Sequence, residues 1–469
     1  MEITTSYWTR SDVRKIVNKN RTRFPVFEPK LLSPLMPGYH VWDSWFVMNE
    51  NGTVAQFNGH RVLIALVRPL GSSDGEKIGV FVETPEGYLA RGFLFKKPIY
   101  DDIREWSGST ILRDDGRLQS FYTISMGVEF DGVWQTNQRF ATAIQEVAYD
   151  ELGLPVFAAP STHVLLCEPD GVFYETAEQA ARREAQLPTV HRVDVGSDQT
   201  DNFCFRDPKF FKDPTSGDCY LIFEGNTGPQ SPAPGGTISK KFFGSDDVEG
   251  YAPTADDLKA NGCVGVFKLS TSEYTFGTFH RPWLVTNLVT DEIERINLMV
   301  IDDAYYLFVA GHGNKNSMLS EIPFLSNLDY MLGFRAESLF GSLTPLNGSG
   351  VVVHQKSLGD RYTGQEQNLQ YTYSWLLVPT EDPNVFDCVS YANYSNVDGK
   401  VSPVKTAGPT LKVVVKGSHT IIVDRVYDIV PADFQDFPIQ ANGLSYTPGK
   451  LMPTVPTTVL MADSKTYAA

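Results

Sequence analysis

Apolar residues along the chain are grouped in short runs that are rich in β-branched and aromatic side chains. Gly, Pro, Asn or Asp bounds each run, and this pattern is typical of β-strands. We predict strands at 61–69, 77–84, 118–127, 163–169, 219–225, 263–270, 296–311 and 410–426. Within 296–311 the pair Asp302-Asp303 separates two apolar halves, so this run predicts a hairpin with its turn at the two aspartates.

Helical periodicity is rare along the chain: it is convincing at 174–186 and weak at 9–20. Many short strands, few helices and no long low-complexity linker predict one large all-β domain over 1–469, with terminal segments that pack on it or trail from it. A pair of sandwiches or a β-propeller satisfies this pattern, and no fixed-period repeat chooses between them. The stretch 227–262 reads as a long loop, which is functional or disordered when it occurs in a compact domain.

Composition and charge exclude several classes of partner. The 469 residues include 40 Lys and Arg against 56 Asp and Glu, a formal net charge of −16. No basic run reverses this balance locally, so the chain does not suit a nucleic-acid backbone. Five cysteines without a C-x-x-C pair indicate neither a disulfide framework nor a zinc site. They are Cys167, Cys204, Cys219, Cys263 and Cys388.

The first residues, MEITTSYWTRSDVRKIVNKN, lack the apolar stretch of a secretory signal, and no window of the sequence resembles a transmembrane span. We therefore expect no membrane partner. The protein is intracellular, or its signal has been removed, or it leaves the cell by another route. We expect a monomer.

Two acidic positions lie among aromatic residues. Asp43 lies between Trp42 and Trp45 in HVWDSWF. It forms a turn beside core tryptophans, or it is a carboxylate walled by aromatic faces, as in many sugar-processing sites. In FRDPKFF, phenylalanines flank Arg206-Asp207. This pair is either solvated or directed into an enclosed polar site.

A third acidic segment is DEIER. If it is extended, Glu292 and Glu294 lie on the same face of a strand. Such close carboxylates raise each other's pKa, which can keep one of them protonated near neutral pH for use as a general acid. Arg295 can orient them. The alternative is a charged edge strand that prevents aggregation.

Together these segments resemble glycoside hydrolase family 68, the levansucrases and inulosucrases, in which VWDSW, FRDP and DEIER occur in this order. Further segments extend the resemblance from about Trp8 to about Val430. They are REWSGST (104–110), YLIFEGN (220–226), ANG (260–262), YYLFVAGH (305–312), LTPLNGSG (343–350) and YTYS (371–374).

The resemblance implies a five-bladed β-propeller with a deep axial active-site pocket. It also implies that Asp43 is the nucleophile, Asp207 the transition-state stabiliser and Glu294 the general acid/base of a retaining reaction through a covalent fructosyl-enzyme. The residues that resemble the family's substrate-binding shell are Trp42, Trp106, Ser107, Arg206, Glu292, His312 and Tyr373. His312 is expected on the acceptor side.

Some family members hold a structural calcium ion, and the resemblance places three of its ligands at Asp201, Asn261 and Asp291. These oxygen-bearing side chains suit a hard cation. A fourth ligand, a glutamine in the family, falls near Ser245 or Asp246. Alternatively, the aspartates cap turns. The chemistry itself requires no cofactor.

The sequence therefore predicts a sucrose-dependent fructosyltransferase that makes β-fructans or fructo-oligosaccharides and also hydrolyses sucrose. Its expected partners are sucrose and sugar acceptors. One alternative is a β-fructofuranosidase with water as its main acceptor, and another is a non-catalytic sugar-binding propeller. Free glucose and fructose released from sucrose distinguish the three.

Overall fold

The computed structural model describes residues 2–17, 19–73, 75–101, 103–187, 203–228, 238–244, 251–270, 273–359 and 367–432. The first strands in chain order are β1 (Ser6–Tyr7), β2 (Tyr39–Phe46), β3 (Met48–Asn49), β4 (Val62–Pro69), β5 (Lys77–Thr84), β6 (Gly87–Phe93), β7 (Arg104–Leu112), β8 (Leu118–Phe130), β9 (Val133–Gln145), β10 (Val147–Tyr149), β11 (Pro155–Phe157), β12 (Thr162–Cys167), β13 (Phe205–Lys212) and β14 (Cys219–Asn226). The later strands are β15 (Gly262–Leu269), β16 (Gly277–Val285), β17 (Glu294–Ile301), β18 (Ala304–His312), β19 (Leu328–Ala336), β20 (Thr344–Pro345), β21 (Val351–Lys356), β22 (Thr372–Pro379), β23 (Val385–Ala392), β24 (Ser395–Val397), β25 (Lys400–Ser402), β26 (Thr406–Ala407), β27 (Thr410–Lys416) and β28 (His419–Val426). The α-helices are α1 (Arg10–Val13), α2 (Ala177–Ala185) and α3 (Ala255–Lys259).

The predicted elements agree with the structure in most places. Strand β5 has the predicted bounds, and the predicted hairpin forms from β17 and β18 with Asp302 and Asp303 at its turn, both at positive φ. The run 410–426 is also a hairpin, β27 and β28, which turns at Gly417. Helix α2 lies within 174–186, but the weak pattern at 9–20 yields only the four-residue α1.

Five antiparallel sheets form the blades of a five-bladed β-propeller, as the resemblance implies. The sheets are β2-β4-β5-β6, β7-β8-β9-β12, β13-β14-β15-β16, β17-β18-β19-β21 and β22-β23-β27-β28. The first strand of each is innermost. Each innermost strand contacts the next, and β22 contacts β2, which closes the ring.

Adjacent blades bury their facing side chains between them. Strand β4 is buried along VLIALV, because neighbouring blades cover both of its faces. This explains why such strands read as continuous apolar runs in the sequence. The N-terminal β1 pairs in parallel with β16 and extends the third blade. Among the described residues, no helix is long and apolar enough to span a membrane.

Candidate active site

The innermost strands share one irregularity at equivalent places. The pairing register of each shifts, as at a β-bulge, directly after Trp42, Trp106, Arg206, Glu294 and Tyr373. Bulges bend a strand and redirect its side chains, and they are frequent beside active sites. In the first three blades, the first residue within the shift is one of the predicted residues: Asp43, Ser107 and Asp207.

In four of the five strands, the residue after the shift has a left-handed backbone: Asp43 (φ 44°), Asp207 (φ 57°), Arg295 (φ 57°) and Ser374 (φ 63°). A residue with a side chain adopts this conformation at a cost of about 1–3 kcal/mol, and such residues are concentrated at functional sites. The surrounding sheets therefore hold these side chains in a conformation that an isolated strand would avoid.

A cavity of about 490 Å³ opens where the five strands converge, and side chains from all five sheets line it. Of the predicted residues, Trp42, Asp43, Trp106, Ser107, Arg206, Asp207, Glu292, Glu294 and His312 line the cavity. Tyr373 lies directly behind this lining, with its hydroxyl 2.7 Å from Glu294 Oε2.

Asp207 is held by donors on both carboxylate oxygens. The Ser107 hydroxyl donates to Oδ1, and the Arg295 backbone N–H donates to Oδ2 at 3.0 Å. The backbone N–H of Asp207 in turn donates to Thr123 Oγ1 at 3.1 Å. These bonds join three blades and fix the direction of the carboxylate. Its orientation is therefore set before any ligand arrives.

Asp43 is a carboxylate whose ionisation depends on its charged neighbours. Burial raises its pKa, and the positive charge of Arg295 opposes that shift. The guanidinium of Arg295 is itself anchored, because its Nη2 donates to the Ser44 carbonyl at 2.6 Å. The nearby Asp207 carboxylate acts with burial to raise the Asp43 pKa.

Glu292 and Glu294 share one guanidinium but titrate differently. Arg206 Nη2 donates to Glu294 Oε1 at 3.0 Å and to Glu292 Oε2 at 3.2 Å. Burial and the charge of Glu292 raise the pKa of Glu294 to about 7, against the opposing charge of Arg206. For Glu292, the cations Lys315, His312 and Arg206 outweigh burial and lower the pKa. One carboxyl is therefore protonated near neutral pH beside an ionised one, which is the arrangement of a general acid.

A further carboxylate, Glu224, contacts both the Arg206 guanidinium and the backbone between Glu292 and Glu294. Its Oε2 lies 2.7 Å from Arg206 Nε, and its Oε1 accepts the Ile293 backbone N–H at 3.1 Å. The side chain is fully buried. Glu224 was not predicted as a site residue, because it lies in the apolar run that became β14.

His312 is a cation at the cavity wall. Its Nδ1 lies 3.1 Å from Asp329 Oδ1, and its ring stacks on Tyr373 with centroids 4.0 Å apart. Burial alone would lower its pKa, but the carboxylates of Asp329, Glu292 and Glu294 raise the pKa to about 9. The imidazole is therefore protonated at neutral pH. Asp329 was not predicted, and no spacing or motif in the sequence connects it to His312.

The site has one cluster with the donor types of a metal centre. Within the described parts of the chain, Glu292, Glu294 and His312 bring one ligand atom each within 4.8 Å of one another. However, the Arg206 guanidinium already contacts both carboxylates, and His312 is protonated. The cluster therefore suits an internal ion-pair network better than a metal ion.

The candidate calcium ligands are only partly described. Asp201 lies outside the described residues, as do Ser245 and Asp246. Asn261 and Asp291 are buried close together, and the Asn226 amide bridges them by donating to Asn261 Oδ1 at 2.8 Å and to the Asp291 carbonyl at 3.1 Å. Calcium binding stays a prediction.

The family model, the curated relatives and the solved structures that this chain resembles all carry levansucrase in their descriptions. The family model described as levansucrase/invertase matches residues 1–433. A levansucrase from Bacillus amyloliquefaciens is 29% identical over 451 residues, which cover 89% of this chain and 88% of the relative. The crystal structure of Bacillus subtilis levansucrase is 25% identical with a TM-score of 0.75, covering 89% of this chain and 95% of that one. A levansucrase variant crystallised with sucrose is 26% identical with a TM-score of 0.76, covering 91% and 96%.

Proposed function

The chain belongs to glycoside hydrolase family 68, and from this we propose that it is a sucrose-dependent fructosyltransferase with a retaining mechanism. The observation that carries the proposal is the convergence of Asp43, Asp207 and a protonated Glu294 on one cavity. Relatives named levansucrase, one of them crystallised with sucrose, support the choice of substrate.

In the first step, the Asp43 carboxylate attacks the anomeric carbon of the fructosyl unit. The bond from this carbon to the glucosyl oxygen breaks, and Glu294 transfers its proton to that oxygen. Glucose leaves, and a fructosyl ester of Asp43 remains. The Tyr373 hydroxyl and Arg206 hold the two Glu294 oxygens, so the acid is oriented before the substrate binds.

In the second step, the ionised Glu294 accepts a proton from the hydroxyl of an acceptor. The acceptor oxygen attacks the same anomeric carbon, the ester bond breaks, and Asp43 returns to its carboxylate form. Two successive inversions retain the anomeric configuration. Asp207, oriented by Ser107 and Arg295, would bind the fructosyl hydroxyls and favour the oxocarbenium-like transition state.

The acceptor decides which product forms. A sugar hydroxyl gives β-fructans or fructo-oligosaccharides, and water gives free fructose. Because the description of the matching family model includes invertase, β-fructofuranosidase activity is the second candidate. His312, a cation beside Glu292 and Glu294, is the residue we assign to the acceptor side.

Incubation of the purified protein with sucrose tests these candidates. We expect more free glucose than free fructose, since transferred fructosyl units stay bound in product. Equal amounts of both sugars would identify a β-fructofuranosidase. Release of neither sugar, in the presence of measurable sucrose binding, would contradict enzymatic activity and leave a sugar-binding propeller.

A further inference from the structure

Lys405 is a cavity-lining cation to which the mechanism above gives no role. Its carbonyl accepts the Val41 backbone N–H at 2.9 Å, and its own backbone N–H donates to His40 Nδ1 at 3.2 Å. Burial, together with the charges of Lys405 and Arg68, lowers the pKa of His40 to about 4, so the imidazole is a neutral acceptor. These bonds attach Lys405 to β2, the strand that carries Asp43.

The Lys405 side chain is fixed between two aromatic rings. Its ammonium lies 5.3 Å from the ring centroid of Trp42 and 5.0 Å from that of Tyr391. Both distances are those of cation–π contacts. Trp42 directly precedes Asp43, and Tyr391 lines the same cavity. The ammonium is therefore held within electrostatic range of the Asp43 carboxylate, whose pKa its charge lowers.

We propose that Lys405 is a positioning residue for the nucleophile, and that its ammonium keeps the Asp43 carboxylate ionised inside the cavity. The other groups that act on Asp43 are Arg295 from β17, Asp207 from β13, Ser374 from β22 and Tyr391 from β23. Arg68, Glu294 and Glu76 act on the Lys405 ammonium itself. Lys405 and Arg295 are the cations that act on Asp43. The inference rests on the proposed function, in which Asp43 attacks as an anion.

The test is the pH profile of kcat/KM for sucrose in the wild type, Lys405→Met and Lys405→Arg. The acidic limb reports the ionisation of Asp43. Loss of the ammonium raises the pKa of Asp43. In Lys405→Met we therefore expect the acidic limb to lie about one pH unit higher than in the wild type. At pH values below that limb, we expect kcat/KM to be about tenfold lower than in the wild type. Lys405→Arg keeps the charge and is expected to keep the wild-type limb.

A purely structural role for Lys405 predicts a different pattern. It would lower the melting temperature or reduce kcat/KM equally at every pH, without moving the acidic limb, and that result would overturn the inference. Lys405→Gln repeats the comparison if the methionine variant does not fold. If the wild type itself does not turn over sucrose, the proposed function fails first, and the two failures are thereby distinguished.

A second inference concerns Arg183, whose guanidinium is linked through Glu175 to Asn261, one of the expected calcium ligands. Arg183 of α2 donates from Nε and Nη2 to the two carboxylate oxygens of Glu175, each at 2.8 Å. Asn261 Nδ2 also donates to Glu175 Oε2, at 3.0 Å. The carboxylate charge of Glu175, followed by that of Asp291, raises the pKa of Arg183 despite burial.

Of the candidate calcium ligands, the described Asn261 and Asp291 lie in surroundings that do not favour a divalent cation. The Asn261 amide oxygen already accepts a hydrogen bond from Asn226, and a buried guanidinium in the electrostatic range of Asp291 would repel a divalent cation. We infer that Arg183 supplies the positive charge that joins α2 to the segment leading into Glu294, so that folding does not depend on calcium.

Thermal melting tests this second inference. We expect the melting temperature of the wild type to be unchanged by EDTA or by added CaCl₂. Arg183→Met should lower it by several degrees, because Glu175 then remains buried without its partner. Glu175→Gln/Arg183→Met should recover part of the loss. A wild-type melting temperature that falls with EDTA and returns with calcium would overturn the inference.

Discussion

Asp43 has a left-handed backbone conformation, which is unusual within a strand, and the proposed mechanism also requires it to present a reactive carboxylate. Asparagine tolerates that conformation better than most residues and has nearly the same shape as aspartate. The substitution Asp43→Asn therefore separates the chemistry of this position from its backbone geometry.

We expect Asp43→Asn to keep the wild-type fold and to lose turnover, because the amide cannot form the fructosyl ester. Glucose release from sucrose measures turnover, and circular dichroism with a melting curve checks the fold. Asp302→Asn, also at positive φ but in the β17–β18 turn, is the matched control and is expected to retain full activity. Substantial glucose release by pure Asp43→Asn would contradict the role of nucleophile.

The ionisation of Glu294 can be tested through its neighbour Glu292. Glu294 must be protonated to act as the acid, so activity is expected to fall as the pH rises through about 7. The negative charge of Glu292 helps to raise that pKa. Removing it in Glu292→Gln should lower the pKa of Glu294 and move the alkaline limb of kcat/KM to lower pH. An alkaline limb that stays in place, or moves upward, would contradict this assignment of the limb.

At the scale of elements, the strands that carry the site were the hardest to predict. The apolar runs that the sequence shows became β4, β5, β8, β14 and β15, which pack between blades. The innermost strands β2, β7, β13 and β22 were not predicted, because residues such as Asp43, Ser107 and Arg206 interrupt their apolar pattern. Functional residues break the local rules on which sequence-based prediction depends.

The β17–β18 turn, by contrast, was predicted, and a substitution within it is expected to stabilise the protein. Asp302 and Asp303 have φ of 48° and 62°, the left-handed pair that favours glycine at its second position. We expect Asp303→Gly to raise the free energy of unfolding by about 0.5 kcal/mol, since glycine removes the steric cost but loses more chain entropy. Denaturant unfolding measures the change. Asp303→Val, β-branched at the same place, is expected to destabilise, and equal effects of both variants would contradict the turn argument.

At the scale of the molecule, the arrangement of five blades could not be predicted from periodicity in the sequence. The equivalent positions 42, 106, 206, 294 and 373 are unevenly spaced, since the connections between blades differ in length. The sequence therefore has no repeat of fixed length, and only the family resemblance predicted the propeller. The roles proposed for Lys405 and Arg183 could not be predicted either, because only the tertiary fold brings their charges within electrostatic range of Asp43 and Asp291. That 1–469 forms one domain stays a prediction, because 433–469 lie outside the described residues.

The N-terminal segment joins two blades, and Trp8 is the residue through which it does so. Strand β1 pairs with β16 of the third blade, while the indole N–H of the buried Trp8 donates to the Ser349 carbonyl at 3.0 Å, in the connection that leads to β21 of the fourth. Its ring packs edge-on against Tyr330 of that blade, with centroids 6.0 Å apart. The five blades form a closed ring, so loss of a contact between two of them should lower the stability of the whole molecule.

We expect Trp8→Ala to destabilise the protein by about 3–5 kcal/mol, since it leaves a large cavity and an unpaired carbonyl between the blades. Urea unfolding followed by far-UV circular dichroism gives the change. Trp8→Phe, which keeps most of the apolar volume and loses only the indole N–H, should cost less. The exposed Trp134 serves as control, and its replacement by alanine is expected to change the free energy of unfolding by less than about 1 kcal/mol. If Trp8→Ala cost no more than Trp134→Ala, the N-terminal segment would lie on the propeller without holding its blades together.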